Sequence, residues 1–529
     1  NNPDSRILLS ESTGEKLLSD FADSRYGLRT ADSQAFVIKF WEVEQRSDIW
    51  VPHQSTVVQT TDFGGREDLL RWENGNGALR ALADQGIASL QGGDAWGHEG
   101  LAVSLTGELR VTRYGGSKFD NNCAALWPAD DSCRAAIWCF GSSPEYNVAV
   151  RQVDQSLKVT NATLVKVPFD LDRWTKVAAD RYPNGLPKPY SDDPTQWVFH
   201  GHPCGSVIWD EARKWTAYGS LRTDAAVLQV GVSRLLGYRW PAEGDPDMDL
   251  ADEQRAWVEK AKALCPFEDD DGIVCIPSVR GERLAAERLL EVLHAAYGDD
   301  WHNGILTKLL AESGYATLDD WLRNKFFEEH CKLFHHRPFI WHIWDGRKRD
   351  GFHALVNYHR LAEGGGKGRR LLESLTYSYL GDWIARQRDG VKRGEGGAED
   401  RLAAALELQK RLVAILEGEP PFDIFVRWKP IEQQPIGWEP GINDGVRLNI
   451  RPFMAQDLPG GKKGAGILRT KPNIHWKKDR GKEPIRDQAQ FPWFWRNDKF
   501  AGERVNDVHL TNAEKRAARD AASTVAKGR

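Results

Sequence analysis

The sequence predicts an α+β multidomain protein, and three observations carry that prediction. The chain has 529 residues, enough at roughly 150 residues per domain for two to four cores. Short β-like runs broken by turn residues fill its first part, whereas apolar residues at helical spacing dominate residues 266–420. Residues 421–529 then switch to a basic, Trp-, Gly- and Pro-punctuated composition, with 21 Lys or Arg against 13 Asp or Glu. The whole chain carries 71 against 76, a net charge of −5. Its 22 Trp, 20 Phe and 12 Tyr exclude disorder from end to end, because so much aromatic surface does not stay solvated.

Residues 1–170 read as mixed α/β. The runs Leu101–Thr106, Leu109–Tyr114, Asn122–Trp127 and Ala135–Phe140 are predicted strands, punctuated by turns such as Gly115-Gly116. Ser143-Pro144-Glu145 opens a predicted helix, with proline in the first turn. The run Leu157–Pro168 is predicted to be extended, because Val159, Leu164, Val165 and Val167 are good strand formers. Residues 171–265 read as a linker with helices near Ala225–Leu236 and Glu253–Leu264.

Residues 266–420 read as a helical domain. Ala285, Leu289, Val292, Leu293 and Ala296 make one apolar face within Glu282–Tyr297. Leu372, Leu375, Tyr379 and Trp383 repeat the spacing, as do Leu402, Ala405, Leu406, Leu412, Val413 and Leu416. The Gly-rich stretches Glu363–Arg370 and Gly390–Glu399 are predicted loops. Residues 421–529 are predicted to be irregular or short-stranded up to a helix at Asn512–Thr524.

Seven scattered cysteines, none in a Cys-x-x-Cys pair, argue against a disulfide framework and for a reducing cytoplasm. Asn161-Ala162-Thr163 matches a glycosylation sequon, read as chance. No run of 18 apolar residues and no basic-then-apolar leader is found, so neither a membrane partner nor export is expected. The chain starts Asn1-Asn2-Pro3-Asp4 without an initiator Met; the expectation is a piece of something longer or a processed product.

Phosphate-loop, nucleophile-elbow and dinucleotide-binding motifs are all absent, and Phe63-Gly64-Gly65 and Gly364-Gly365-Gly366 read as turns. His200-Gly201-His202-Pro203-Cys204 has zinc-ligand residue types, but crowded ligands rarely converge, so a polar loop with a half-buried cysteine is preferred. Glu268-Asp269-Asp270-Asp271-Gly272 reads as a solvated acidic turn ahead of a weak Mg²⁺ site. The segment His330–His359 is the densest oddity: His335, His336, His342, His353 and Asp345 are candidates for acid–base or metal chemistry. A buried run from Phe339 to Trp344, a turn at Asp345-Gly346 and a helix holding Phe352, Leu355 and Val356 is the preferred reading. The tail interleaves cations with aromatics, as in Ile474–Lys482 and Phe491–Arg496, a mix that suits phosphates and bases.

Several strings resemble one family. They are Ser142–Asn147, Val159–Pro168, Asp193–Pro203, Arg337–Gly346 and Asn443–Phe453. They resemble the large adenine-specific DNA methyltransferases of bacterial phage defence, found in DISARM, in BREX and in fused restriction–modification enzymes; the DISARM methylase is the most similar. The resemblance implies transfer of methyl from S-adenosylmethionine to adenine N6, after the base is flipped from the duplex. It also implies that residues 1–170 are a target-recognition-like domain.

The required Asn/Asp-Pro-Pro-aromatic motif is absent from this chain, and Pro187-Lys188-Pro189-Tyr190 has the wrong order. No catalytic, cofactor-binding or metal residue is therefore carried over. S-adenosylmethionine is not expected to bind this chain alone. The expected partners are double-stranded DNA and a catalytic domain upstream or on another chain, with other defence proteins as further candidates. Arg66, Arg113, Lys118, Asn121, Asn122, Lys158 and Asn161 are the candidate base readers, being donor residues near turns and strand ends. Lys462, Lys463, Lys477, Lys478 and Arg480 are candidate phosphate contacts. The rival readings are a non-catalytic interaction scaffold of a defence complex, suggested by the amphipathic helices, and a metal-dependent nuclease built on His330–His359.

Overall fold

The computed structural model describes residues 16–43, 49–335, 337–361, 363, 366–417, 457–458, 462–463, 485, 487–501 and 512–527. The architecture is α+β. Eight strands occupy its first part: β1 (Ala22–Tyr26), β2 (Val37–Lys39), β3 (Trp50–Gln54), β4 (Asp68–Arg71), β5 (Glu99–Ser104), β6 (Val111–Gly115), β7 (Lys118–Phe119) and β8 (Cys123–Pro128). They form two four-stranded sheets, in the orders β1-β8-β5-β6 and β2-β4-β3-β7. All pairings are antiparallel except β3 with β7.

Both faces of β5 and β8 are covered, so side-chain alternation splits the sheet into two cores. Leu101, Val103, Ala124 and Leu126 face a helical layer made by Arg134–Gly141, Pro144–Val153 and Leu171–Arg181. Ala102, Ala125 and Trp127 face Tyr114 and Phe119 instead.

Two predicted strands are helices. Ala135–Phe140 lies within the helix Arg134–Gly141, whose residues from Ala136 onward are all buried. A six-residue apolar run buried on every side shows no period, and the preceding turn, in which Asp130 accepts from Ser132 N, decides the matter. Gly141 lets this helix pack closely, since a Cβ would stand 2.3 Å from Leu101 Cδ2 and push that side chain aside. Within Leu157–Pro168 the short helix Asn161–Val165 forms, because Thr160 Oγ1 caps Thr163 N at 3.3 Å. A local side-chain cap outweighs β propensity here. The predicted helix after Pro144 is present.

A hairpin of β9 (Val207–Asp210) and β10 (Trp215–Tyr218) precedes the helical region. Helices Ala225–Leu235 and Asp252–Lys262 match their predicted positions within a few residues. A three-stranded sheet lies inside the region read as helical: β11 (Ile273–Cys275), β12 (Ile340–Trp344) and β13 (His353–Asn357), in the order β11-β13-β12. Phe352, Leu355 and Val356 thus belong to or adjoin a strand and not a helix. The Asp345 carboxylate accepts from Arg347 N at 3.0 Å and Phe352 N at 2.9 Å, closing a hairpin that returns the chain onto β12. This sheet too is buried on both faces. Val274, Ile340 and Leu355 join the core of helices 225–333, while Trp341, Ile343, Ala354 and Val356 join that of helices 367–417.

The apolar face around Leu289 is buried, with Ala296 half-buried at its end; around Leu412, Ala405 and Leu416 are buried, Leu402 and Val413 half-buried, and Leu406 is exposed against expectation. The Gly390–Glu399 loop is shorter than expected, because one helix runs to Lys392 and the next starts at Ala398. Likewise a helix starts at Lys367, directly after Gly366 at φ +77°. In the tail, Asn512–Lys527 is helical, and Lys515 and Arg519 lie over the Trp493 ring.

Segment Ile38–Glu42 crosses from the N-terminal sheets into the larger core. Trp41 is fully buried, donates Nε1–H to Arg337 O at 3.0 Å and accepts from His359 Nε2 at 3.0 Å. Arg337 Nη1 holds both oxygens of buried Glu42 at 3.0 Å. Deeper in that core, fully buried Arg234 reaches Glu243 Oε2, Ala261 O and Glu268 Oε1. Glu243 also caps Trp240 N at 2.8 Å. Removing one member leaves a buried charge uncompensated. Glu243→Ala is therefore expected to destabilise the fold by on the order of 3 kcal/mol in urea titration, whereas Arg234→Met combined with Glu243→Leu costs far less.

Candidate functional site: an arginine cleft and a polar recognition surface

The candidate readers fall into three groups. The first is a cleft of about 480 Å³ between the N-terminal sheets and the loop through Leu186–Pro189. Phe63-Gly64-Gly65 is a turn, as predicted, and Gly65 has φ +67° with its Cβ position 2.3 Å from Ser55 O. Only glycine takes that conformation at that distance, and it delivers Arg66 into the cleft. The Arg66 backbone is tied to the next segment by N–H to Gln196 Oε1 at 3.3 Å and by Trp197 N to its carbonyl at 3.1 Å. Arg113 comes from β6 and donates Nη1–H to Pro187 O. Phe63 lies under both guanidinium groups, 4.8 Å from Arg113 and 5.8 Å from Arg66.

Three carboxylates line this cleft, and each already has a cation. Asp68 is 2.8 Å from Lys39, Glu99 pairs with Arg134, and Asp249 is 3.1 Å from Lys188. Among the described residues no carboxylate lies within ion-pair distance of Arg66 or Arg113. Burial and the neighbouring Arg113 push the Arg66 guanidinium down to about 10. Burial also lowers Arg113, offset in part by Asp62 nearby. His53 and Gln54 end β3 at the same cleft. Neither ring nitrogen of buried His53 makes a hydrogen bond of good geometry, and Gln54 Oε1 is unpartnered. Phe63 is legible in the sequence only as part of a turn, and nothing in the local pattern of His53 or Gln54 marks them as cleft residues.

The second group lies where the β7–β8 turn, the end of β5 and residues 156–161 meet. Lys158 Nζ donates to Asn121 O at 3.1 Å, Leu105 N donates to Asn122 O at 3.0 Å, and Asn161 Nδ2 donates to Ser24 O at 2.8 Å. Asn122 and Lys158 are exposed, and the side-chain amides of Asn121 and Asn122 make no hydrogen bond among the described residues. The third group is Lys118 alone, held 4.6 Å from the rings of both Trp72 and Trp96. Burial lowers its ammonium, and the two rings account for its placement. Lys462 and Lys463 form a two-residue strand paired with Asp457–Leu458. Lys477, Lys478 and Arg480 lie outside the described residues.

The other clusters are structural. His200, His202 and Cys204 are all buried, and Cys204 is fully so instead of half-buried. His200 Nδ1 accepts from His202 N at 2.9 Å, and His202 Nδ1 accepts from Gly205 N at 3.1 Å; the rings shape the loop. In the later segment, His335 sits at the surface 3.6 Å from Glu67, while His342 and His353 pair inside the sheet at 2.9 Å. His353 Nε2 gives its hydrogen to Arg347 O, so its Nδ1 accepts from His342 Nε2. Burial lowers both, His353 to about 3, and keeps the pair neutral. His336 lies outside the described residues. Among the described residues no three His, Cys, Asp or Glu side chains converge to hold a metal ion. All seven cysteines are free thiols.

The acidic turn is not a solvated loop. Asp269 accepts from the amides of Asp271, Gly272 and Ile273 and pairs with Arg288 at 2.8 Å, and Asp271 accepts from Tyr379 Oη at 2.9 Å. No family model matches the chain, and no curated protein matches it. No helix among the described residues is long and apolar enough to cross a membrane.

Burial pushes the Asp271 carboxyl up to about 6, against a usual value of 3.8. The protonated form is thus favoured in the folded state. Its contribution to stability is full below about pH 4 and is lost as pH rises through about 6. The stability of Asp271→Asn relative to the native protein is expected to increase between pH 4 and pH 8, measured by urea titration. A pH-independent difference would refute the assignment.

Proposed function

We propose that this chain is the DNA-recognition and carboxy-terminal portion of an S-adenosylmethionine-dependent adenine-N6 DNA methyltransferase that marks host DNA in bacterial phage defence. It acts in the cytoplasm, with the catalytic domain upstream or on another chain. The observation that carries the reading is the second group of residues. Asn121 and Asn122 present uncommitted amides beside the exposed ammonium of Lys158, on one edge built from three loops. Uncommitted amides are what base-edge readout requires, since Asn pairs bidentately with adenine N6 and N7. The ammonium supplies a phosphate contact that carries no sequence information.

No site for the methyl donor is assigned to this chain. Among the described residues the sheets are antiparallel apart from β3 with β7, and the sequence lacks the Gly-rich strand–loop and Pro-Pro-aromatic motif that such a cofactor and its target base require. No catalytic step is assigned to this chain.

Anisotropy with a short duplex across a salt series tests the reading. Binding is expected to weaken steeply with salt, because each neutralised phosphate releases counterions. Lys158→Ala is expected to weaken all duplexes alike and to reduce the logarithmic salt slope by about 1. Asn121→Ala with Asn122→Ala is expected to erase about 1–3 kcal/mol of preference between sites while leaving the salt slope unchanged. Absence of duplex affinity at low salt, together with a stoichiometric co-purifying protein, would favour the scaffold reading instead.

A further inference from the structure

Arg66 and Arg113 do not share the recognition surface, and their surroundings pose a separate problem. A half-buried arginine is best matched by a counter-charge in contact with it, and neither of these two has an ion pair among the described residues: the three lining carboxylates are bound to Lys39, Arg134 and Lys188, and Asp62 and Asp249 act on them only from beyond ion-pair distance. Their few hydrogen bonds go to main-chain oxygens, namely Arg113 O for Arg66 at 3.4 Å and Pro187 O for Arg113. Neutral acceptors do not cancel a cation. Two guanidinium forks side by side match the oxygens of one phosphate, which accepts bidentately from each.

The rest of the cleft describes what that phosphate is attached to. About 480 Å³ is a small-molecule volume. Phe63, Trp138, Leu186, Pro187 and Trp197 give it flat and apolar walls. The unpartnered Gln54 Oε1 and the ring nitrogens of His53 are buried polar atoms that a ligand's hydroxyl or amino group would satisfy.

We propose that this cleft binds a small phosphorylated molecule of mononucleotide size, with its phosphate held between Arg66 and Arg113. The assignment is independent of the duplex-binding reading, since it uses none of Asn121, Asn122 or Lys158.

Calorimetric titration of the full chain in chloride buffer, with inorganic phosphate and adenosine monophosphate as probes, tests it. Both probes are expected to bind, the nucleotide more tightly. Arg66→Gln and Arg113→Gln are each expected to raise the Kd about tenfold or more, and Lys158→Ala to leave it unchanged. Without ligand the two glutamine variants are expected to melt no lower than the native protein, because each removes a half-buried cation that has no ion pair among the described residues. A purely structural role predicts the reverse. Phenylglyoxal labelling read by peptide mass spectrometry needs no variant: phosphate is expected to protect Arg66 and Arg113. Any of three results would overturn the proposal. They are no binding and no protection at millimolar phosphate, equal binding by succinate, and displacement of the probes by a short duplex, which would make the phosphate that of a polymer.

Discussion

The arrangement depends on Trp41. Segment 36–43 leaves the sheet region and seats this ring in the core of the helical half, where it is fully buried against Phe40 and Phe334. Its indole N–H and its carbonyl are each satisfied by a residue some three hundred positions later, Arg337 and His359. A buried indole or carbonyl without a partner is costly, so the geometry of residues 337–359 is fixed from the N-terminal side. Arg337 holding Glu42 adds a charged clamp at the same point. Strands β2 and β4 then bring Leu69 to that core and leave Asp68 at the arginine cleft. The cleft therefore exists because the crossing segment anchors one of its walls.

What the sequence made legible follows from how each element is stabilised. Helices with one buried face, such as Ala285–Tyr297, write their period into the chain, and their positions were readable. Elements buried on all sides do not. Arg134–Gly141 and β13 both consist of short apolar runs, and each was assigned to the wrong class because length and turn chemistry, not period, decide between them. Asn161–Val165 was misread for another reason: a threonine cap three residues from its partner amide is a stronger local signal than four scattered β-branched residues. At the cleft, Arg66 and Arg113 were legible as donors near turns, but their convergence was not. They are distant in sequence and meet only in the fold, over the same Phe63 ring, and Pro187, Trp197 and Asp249 come from segments that only the tertiary structure brings near.

Buried charge is handled in two ways in this molecule. In the helical half, Arg234 is surrounded by Glu243, Glu268 and a carbonyl, Arg288 by Asp269, and Arg323 by Asp319. The histidines of the three-stranded sheet avoid the question by remaining neutral, and their hydrogens are passed along a chain that ends on a carbonyl. Such groups specify packing: each of these cations has a carboxylate in contact, and the histidine pair ends on a carbonyl, although Arg234 Nε and His342 Nδ1 make no hydrogen bond among the described residues. At the cleft the lining acids are already paired, and burial together with the neighbouring Arg113 lowers Arg66. A cation without an ion pair inside a cavity differs from one held by a carboxylate, and that difference points to a binding site where residue type alone does not.

The position of the cleft gives its occupancy a mechanical consequence. Leu101 and Trp138 on one side belong to the core of the N-terminal sheet and its helices, while Trp197 and Val198 on the other belong to the large helical core. The two arginines sit on different strand-linked segments, and the Arg66 main chain is bonded to Gln196 and Trp197. An anion gripped by both side chains removes the repulsion between them and adds a bond that spans the junction of the two cores. Binding energy at this point is therefore stability of the junction by mass action, and a mutation that loosens the junction weakens the site in equal measure. The crossing of segment 36–43 and the filling of the cleft act on the same interface from two sides, one through apolar burial and the other through charge.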